Sequence, residues 1–428
     1  MEKGRHGLIK GHAQGPAPTK NTGKSPYFER NAPMAGPGSY WIGEEEKKEI
    51  MEVLESGRLF RYGNMEDSSF KHKVYTFEQE FARYCGVNHA LATSSGTGAL
   101  MISLLALGIQ PGDEVIVPAY TFVATYSSTI FAGGVPVLAE IDESLSLDPD
   151  DIERRITSKT KAIIPVHMLG NPCNMDAIRA IADRHGLVVL EDACQAGGGS
   201  YKGRKLGSIG RMGAFSLNIF KTITAGDGGV ITTDDKELYE RAFAAHDQGH
   251  TPNRTGVQVG SRNILGLNFR VNELLGAVAL AQLRKIDRII QTLRAKKAKL
   301  KNLISGIEGF KFRVLNDPEG ECGTLCTVIF DSAEKAAAVS KALGTTTVDH
   351  SGWHVYANME HINRYLKEIG QPHGKGAYPR TDDILSRAVN LSVGVVDGGL
   401  GSAFGININS TDEEIKAAAE RFRMVCGD

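Results

Sequence analysis

GAFSLNIFKTITAGDGGVITTD, residues 213–234, decides the reading of this chain. Two short runs of strand character, GAFSL (213–217) and GGVITTD (228–234), flank a loop that carries Lys221 among apolar and small residues, with Gly226, Gly228 and Gly229 just after it. A lysine with few solvated neighbours loses the hydration of its charged form. Its pKa falls and its amine becomes a nucleophile. The competing structural account is a strand-end lysine whose amine snorkels to water, and Lys221 alone does not decide between them. Ser216, at the end of the first run, offers a hydroxyl to a phosphate.

Upstream, short Val- and Ile-rich runs alternate with helical segments. The runs are EVIVP (114–118), VPVLAEI (135–141), KAIIPVHM (161–168) and LVVLED (187–192); the helices are expected at 95–107, 122–132, 149–156 and 174–186. This alternation predicts an α/β fold with a mixed, mostly parallel sheet flanked by helices. Before it, EEEKKEIMEVLESG (44–57) reads as a helix with Ile50, Met51, Val53 and Leu54 on one side and Gly57 as its stop, and YTFEQEFARYCGV (75–87) as a second. Downstream, one helical pattern runs from about Asn272 to about Ile307, long enough to be kinked or divided and to bridge two domains. Strands at 310–314, 324–331 and 389–395, a helix capped by Ser332, and a last helix with Thr411 and Glu414 as a capping box complete a smaller α+β domain. The expected division is a flexible arm over 1–38, a large domain over 39–287, and a bridging helix with a small domain over 288–428.

The 428 residues carry 49 Lys and Arg against 50 Asp and Glu, and 41% are apolar, which suits a large folded core and excludes wholesale disorder. A net charge of −1 exerts no global pull toward nucleic acid or anionic membrane. The basic run Arg294, Lys296, Lys297, Lys299 and Lys301 spreads around a helix and reads as a solvated face. Six scattered cysteines contain no C-x-x-C pair, so neither a disulfide framework nor a metal site is expected, and Cys322 and Cys326 read as free thiols. No apolar run approaches the roughly 20 residues of a membrane span, and MEKGRHGLIKGHAQGPAP (1–18) lacks the apolar stretch of a signal peptide. The expected location is the cytoplasm.

Two further motifs join Lys221. In SSGTGALMISLLALG (94–108), small residues and Thr97 precede an apolar helix, whose first N–H groups and positive dipole end can cradle a phosphate; a plain Ser/Thr cap explains the motif equally. In LVVLEDACQAGG (187–198), Asp192 ends an apolar strand, where a carboxylate needs a cation or donors, and Gln195 follows as a second polar contact. A helix cap is the competing account of Asp192. Together, a phosphate cradle, a strand-end Asp and a sheltered Lys are the parts that hold pyridoxal phosphate: the Lys forms the Schiff base and the Asp keeps the ring nitrogen protonated. A nicotinamide fold would need Gly-x-Gly-x-x-Gly after its first strand, and that spacing is absent.

On the blocks SSGTGAL, GDEVIVPAYTFVAT, AIIPVHMLG, EDACQAGGGSYKG, GAFSLNIFKTITAGDGGVITT and GLNFRVNELLGAVALAQL, the sequence resembles the DegT/StrS sugar aminotransferases, pyridoxal-phosphate enzymes of fold type I. The resemblance runs from about residue 43 to about 287 and continues more weakly beyond. It implies that Lys221 is the Schiff-base lysine and moves the proton during transfer, that Asp192 partners the ring nitrogen, and that Gln195 contacts the ring hydroxyl. It further implies that Gly96, Thr97 and Ser216 bind the phosphate, that Phe122 stacks on the ring, and that Asn268 reaches a phosphate across a homodimer interface. Arg270 and Glu273 read as structural. The implied reaction moves an amino group from glutamate (or glutamine) to a ketosugar. A lysine at 221 argues for transamination, because a dehydratase branch has histidine there.

The chain departs from the family's usual pattern at Gly210-Arg211, at Asn218, where histidine is common, and at GDGG (226–229). FKTITAGDGG, GLNFRVNELLGAVALAQLRKID and NDPEGE are similar to the branch that makes 8-amino-3,8-dideoxy-octulosonate, which implies a free keto-sugar acid rather than a nucleotide-linked ketosugar. His167, His354 and Tyr356 are the candidate substrate residues, with Trp353 beside them; local packing is the competing account of each. Arg380 and Arg387 keep an amino-acid aminotransferase or a lyase open, since such enzymes place an arginine on the substrate carboxylate. A non-catalytic regulator on the same fold is the third reading. The sugar, the aminated carbon and the product stereochemistry are not encoded in any motif.

Overall fold

The computed structural model describes residues 35–252 and 264–427. The expected arm falls outside the described residues up to position 34. Its last positions, 35–38, are packed: the N–H of Gly36 donates to Ile219 O at 2.9 Å, and Pro37–Tyr40 form a short helix.

Thirteen strands occur among the described residues: β1 (His89–Thr93), β2 (Glu114–Pro118), β3 (Val135–Ala139), β4 (Thr160–Ile163), β5 (Val188–Asp192), β6 (Ser200–Tyr201), β7 (Arg204–Lys205), β8 (Met212–Ser216), β9 (Gly229–Thr233), β10 (Phe310–Phe312), β11 (Leu325–Phe330), β12 (Ala388–Ser392) and β13 (Ser402–Ala403). The large sheet has seven, in the order β1-β9-β8-β5-β4-β2-β3. Pairings from β3 to β8 are parallel, while β9 runs antiparallel to both β8 and β1. Two reversals leave β1 parallel to β8. The carboxyl ends of β1, β2, β4, β5 and β8 therefore meet at one edge, where an open α/β sheet binds its ligand.

Alternation along each strand divides the core. Leu91, Val115, Val117, Leu190 and Met212 pack with Leu100, Ile102 and Leu104 of the helix Gly96–Leu107. Ala92, Ile116, Val189, Phe215 and Val230 pack on the other face with Phe77, Phe81, Ile178 and Leu280 from the helices Lys73–Cys85, Met175–His185 and Glu273–Leu283. β1 was not legible as a strand, because HALAT is short and Ala-rich; its pairing with β9 makes it one.

The long helical pattern is divided. Glu273–Leu283 is apolar all round and buried, whereas Ile286–Ile304 is amphipathic, and the break at Arg284–Lys285 separates the two regimes. β10 to β13 form a second sheet with its own core of Val328, Phe330, Val389, Leu391 and Phe422. The basic run is not the solvated face expected. Lys297 is buried on Glu321 at 2.8 Å, Arg294 donates to Glu321 O at 2.6 Å, Lys296 to Ser410 O, and Lys299 pairs with Asp412. The loop at Glu321 and the segment at Ser410–Asp412, where the last helix begins, take up these four charges.

Candidate active site

Four strand ends supply the site. At the end of β1, the Ser95 hydroxyl caps the helix Gly96–Leu107 by accepting the N–H of Gly98 at 2.9 Å. The N–H groups of Gly96 and Thr97 have no intrahelical acceptor and point out of the first turn. A Cβ on Gly96 would lie 2.7 Å from Ser216 Cβ and 3.1 Å from Cys194 Sγ, so only glycine lets β8 come this close to the helix end. Ser216 Oγ accepts Asn218 N–H at 3.2 Å, and its own hydrogen remains for a ligand.

Asp192, at the end of β5, is buried. Its Oδ2 accepts the Thr125 hydroxyl at 2.9 Å and its Oδ1 the N–H of Cys194 at 3.1 Å. No helix follows Asp192, so the carboxylate fastens a turn rather than capping a helix, and lone pairs remain on both oxygens. Phe122 follows β2 and leaves 38% of its surface exposed, with the Lys221 Nζ 6.0 Å from its ring centroid. The Lys221 side chain keeps some exposure along its length, but burial of its amine end lowers its pKa; Cys194, Asp192 and Asp397 oppose that shift. Burial, then Asp192, pushes the Cys194 thiol up.

The second sheet's region closes the cleft. Residues 353–355 lie alongside 120–123: Thr121 N–H donates to His354 O and Val123 N–H to Trp353 O, both at 2.9 Å. The His354 ring sits 5.4 Å from the Phe122 ring. Burial, then the charge of Lys221, holds His354 down at about 3, and its Nδ1 meets Ser351 Oγ at 2.9 Å. His246, buried beside Arg61, is likewise held at about 3. The unfolded chain binds protons on these histidines below its ordinary pKa of about 6.5, while the folded chain refuses them until about 3. Stability is therefore present above pH 6.5 and lost as pH falls through that window. The urea midpoint is expected to drop between pH 7 and pH 5, and His246→Gln is expected to narrow the difference.

The structure brings together Gly96, Ser216, Asp192, Phe122, Lys221 and His354, with Thr97 exposed in the first helical turn and Gln195 on the turn after Asp192. It does not bring His167 or Tyr356. Successive residues of a strand face opposite sides, and His167 is fully buried with its Nε2 on Glu191 at 3.0 Å, on the far side from Asp192. Cys173 N–H donates to its Nδ1 at 3.1 Å, so both ring nitrogens are committed. Tyr356 is buried against Tyr378, its hydroxyl on Asp382 at 3.1 Å. Asn268 is exposed, with its Oδ1 accepting Arg270 N–H at 3.2 Å, and takes no part in these contacts. Arg270 pairs with Asp247, and Glu273 accepts Lys73 N–H at 2.6 Å, both structural.

Sequence reasoning missed Thr125 and Asp397. Thr125 lies one helical turn from Phe122, a spacing that marks it as a neighbour. Asp397 carries no local signal: burial raises its pKa, Lys221 opposes this, and it reaches the cleft only through the fold.

A lysine with a lowered pKa, a strand-end carboxylate, an exposed ring and a helix N-terminus at one sheet edge are compatible with a pyridoxal-phosphate enzyme of fold type I. The chain belongs to the DegT/DnrJ/EryC1/StrS aminotransferase family, whose pattern matches residues 41–396. It is similar to GDP-perosamine synthase of Caulobacter vibrioides, 42% identical over 246 residues, a match that spans 56% of this chain and 65% of that protein. It is also similar to dTDP-3-amino-3,4,6-trideoxy-alpha-D-glucose transaminase of Streptomyces venezuelae, 34% identical over 81% of this chain and 86% of that protein. The crystal structure of S. venezuelae DesV in complex with a ketimine intermediate superposes with a TM-score of 0.73 at 31% identity, covering 90% of this chain and 95% of that one. Family and relatives make the chain a sugar aminotransferase.

Proposed function

We propose that this protein uses pyridoxal phosphate to move an amino group from glutamate, or glutamine, to a ketosugar. The observation that carries the proposal is the convergence of the Lys221 amine and the Asp192 carboxylate beside the exposed face of Phe122. The residues fit the cofactor. Gly96, Thr97 and Ser216 would hold its phosphate, Phe122 its ring face, Asp192 its ring nitrogen and Gln195 its ring hydroxyl. When bound, pyridoxal phosphate supplies the electron sink that amino exchange requires. Lys221 Nζ, with its pKa lowered by burial, then takes and returns the proton at the substrate carbon that gains or loses nitrogen.

The two arginines that kept an amino-acid enzyme open are engaged elsewhere: Arg380 pairs with Asp148, and Arg387 with Asp383 at 2.7 Å. This supports a sugar acceptor, either nucleotide-linked or a free keto-sugar acid. A homodimer with shared sites fits the surface. In the helix Glu44–Ser56 only Val53 of the expected apolar side is fully buried; Met51 and Leu54 are half exposed, as are Leu59 and Phe60. Arg270 stacks on Phe60, and Leu265 and Leu267 near Asn268 are also exposed. A second subunit covering this apolar surface would carry Asn268 to its partner's phosphate site. Among the described residues no helix is long and apolar enough to cross a membrane; we place the reaction in the cytoplasm.

The test is a pair of half-reactions. Protein loaded with pyridoxal phosphate is expected to show a visible band that glutamate or glutamine bleaches and that a ketosugar, from a panel of nucleotide-linked and free keto-sugar acids, restores. Restoration by amino-acid-derived 2-keto acids alone would replace the sugar assignment. Gly96→Ala is expected to weaken pyridoxal phosphate binding at least tenfold and to cost about 1–3 kcal/mol by overpacking against Ser216, read by cofactor titration and urea unfolding.

A further inference from the structure

Gln195 is held in one orientation by groups that never touch the cleft. Its Oε1 accepts the N–H of Leu169 at 3.0 Å. Only the oxygen of an amide can accept, so this bond leaves the NH2 end as the free donor. Leu169 sits in an unusual place: its φ is 55° and its ψ 32°, the left-handed region that a leucine rarely adopts. The turn persists because its carbonyls are gripped from the second sheet's side. Arg313 Nη1 donates to Met168 O at 3.2 Å and Nη2 to Leu169 O at 3.1 Å. Thr324 Oγ1 donates to the same Leu169 oxygen at 3.0 Å, and Cys322 N–H to Gly170 O at 2.9 Å.

Arg313 is otherwise hard to explain. It is buried, its two Nη atoms are spent on carbonyls, and its Nε has no partner. The nearby carboxylate of Glu321 is taken by Lys297 at 2.8 Å. A desolvated guanidinium without a bonded counter-charge is costly, so it is expected only where its fork does something a neutral residue cannot. Here the planar fork holds two successive carbonyls at once, which fixes the direction of the Leu169 N–H between them and the next turn.

We propose that Arg313 and Thr324 are positioning residues for cofactor chemistry: they clamp the 168–170 turn so that Leu169 N–H orients Gln195, presenting its NH2 to the ring hydroxyl of pyridoxal phosphate. This rests on the cofactor assignment made above. A donor at that oxygen stabilises its negative charge and lowers the pH at which the bound chromophore titrates. Loss of the clamp lets Gln195 rotate, and the titration midpoint rises.

The experiment is a pH titration of the visible band in the full-length protein loaded with pyridoxal phosphate. Gln195→Ala, the direct reference, is expected to raise the midpoint by about one unit. Arg313→Met and the near-isosteric Thr324→Val are expected to raise it in the same direction, with the band still formed through Lys221. Combined with Gln195→Ala, each is expected to add nothing, because both act through that amide. A midpoint unmoved in Thr324→Val, or a further rise when either is added to Gln195→Ala, overturns the clamp while leaving the cofactor assignment intact. Absence of any band in the unaltered protein overturns both. Thr324→Val covers the case in which Arg313→Met fails to fold.

Discussion

Lys221→Ala is expected to lower kcat/KM for amino transfer by at least about 10³-fold, since general acid–base catalysis alone contributes roughly 10²–10⁴ and the covalent anchor is lost with it. The visible band of bound pyridoxal phosphate is expected to disappear, and a small soluble amine to restore part of the activity. Stability is expected to move the other way. Burial lowers the Lys221 pKa, with Cys194, Asp192 and Asp397 offsetting only part of the effect; removing the amine removes that cost. The cofactor-free variant is therefore expected to unfold at the same urea concentration as the parent, or a higher one. A variant that unfolds earlier and keeps its turnover would make Lys221 a structural lysine and end the functional assignment.

The second large effect concerns Glu191, the neighbour of Asp192 on the opposite face of β5. Glu191→Gln is expected to cost about 3–5 kcal/mol, the range for breaking a buried charged network. Glu191 is fully buried and accepts four N–H donors: His167 at 3.0 Å and Gly207 at 2.9 Å on Oε2, and Ile209 and Gly210, each at 2.6 Å, on Oε1. A glutamine offers one oxygen, and its NH2 would face two of those donors, leaving them unsatisfied. Burial alone would raise the Glu191 pKa; the His167 contact and the backbone donors outweigh it and hold the carboxyl below its ordinary value. This stabilisation is present above the unfolded carboxylate pKa and is lost as pH falls through the lower folded value. Asp192→Asn gives the contrast. Asn can still accept Cys194 N–H, and the Thr125 hydroxyl can reverse to accept from its amide, so little stability is lost while amino transfer falls. Unfolding curves and turnover measured on both variants separate the two faces; equal losses of stability would refute the division.

Glu191 and Asp192 also mark the limit of what was legible in the chain. The strand LVVLED announces a buried run ending in two acids, and the periodicities announce most of the large sheet and its helices. The Lys221 loop, the small-residue helix start and Asp192 were readable because each pairs a local pattern with a chemistry that pattern can support. The sequence leaves His167 open between site and core, because its position just past a strand suits either, while its side-chain direction depends on the pairing of that turn with β5. Tyr356 is open in the sequence for a similar reason: an aromatic cluster looks alike whether it stacks a sugar or packs a core. Met51 and Leu54 show the reverse, an apolar helix side that the single chain leaves open.

The sequence by itself determined the α/β class, the long helical stretch leading into a smaller α+β region, and the residue types that can hold and activate a pyridoxal cofactor, because these follow from local propensity, periodicity and the chemistry of single side chains. Only the tertiary structure decided which acid faces the cleft, that Asp397 and His354 stand beside Lys221, and that Arg313 grips the turn behind Gln195. Those assignments depend on the pairing and register of β5 with β8, and on contacts between segments more than a hundred residues apart. A local pattern contains no term for that pairing.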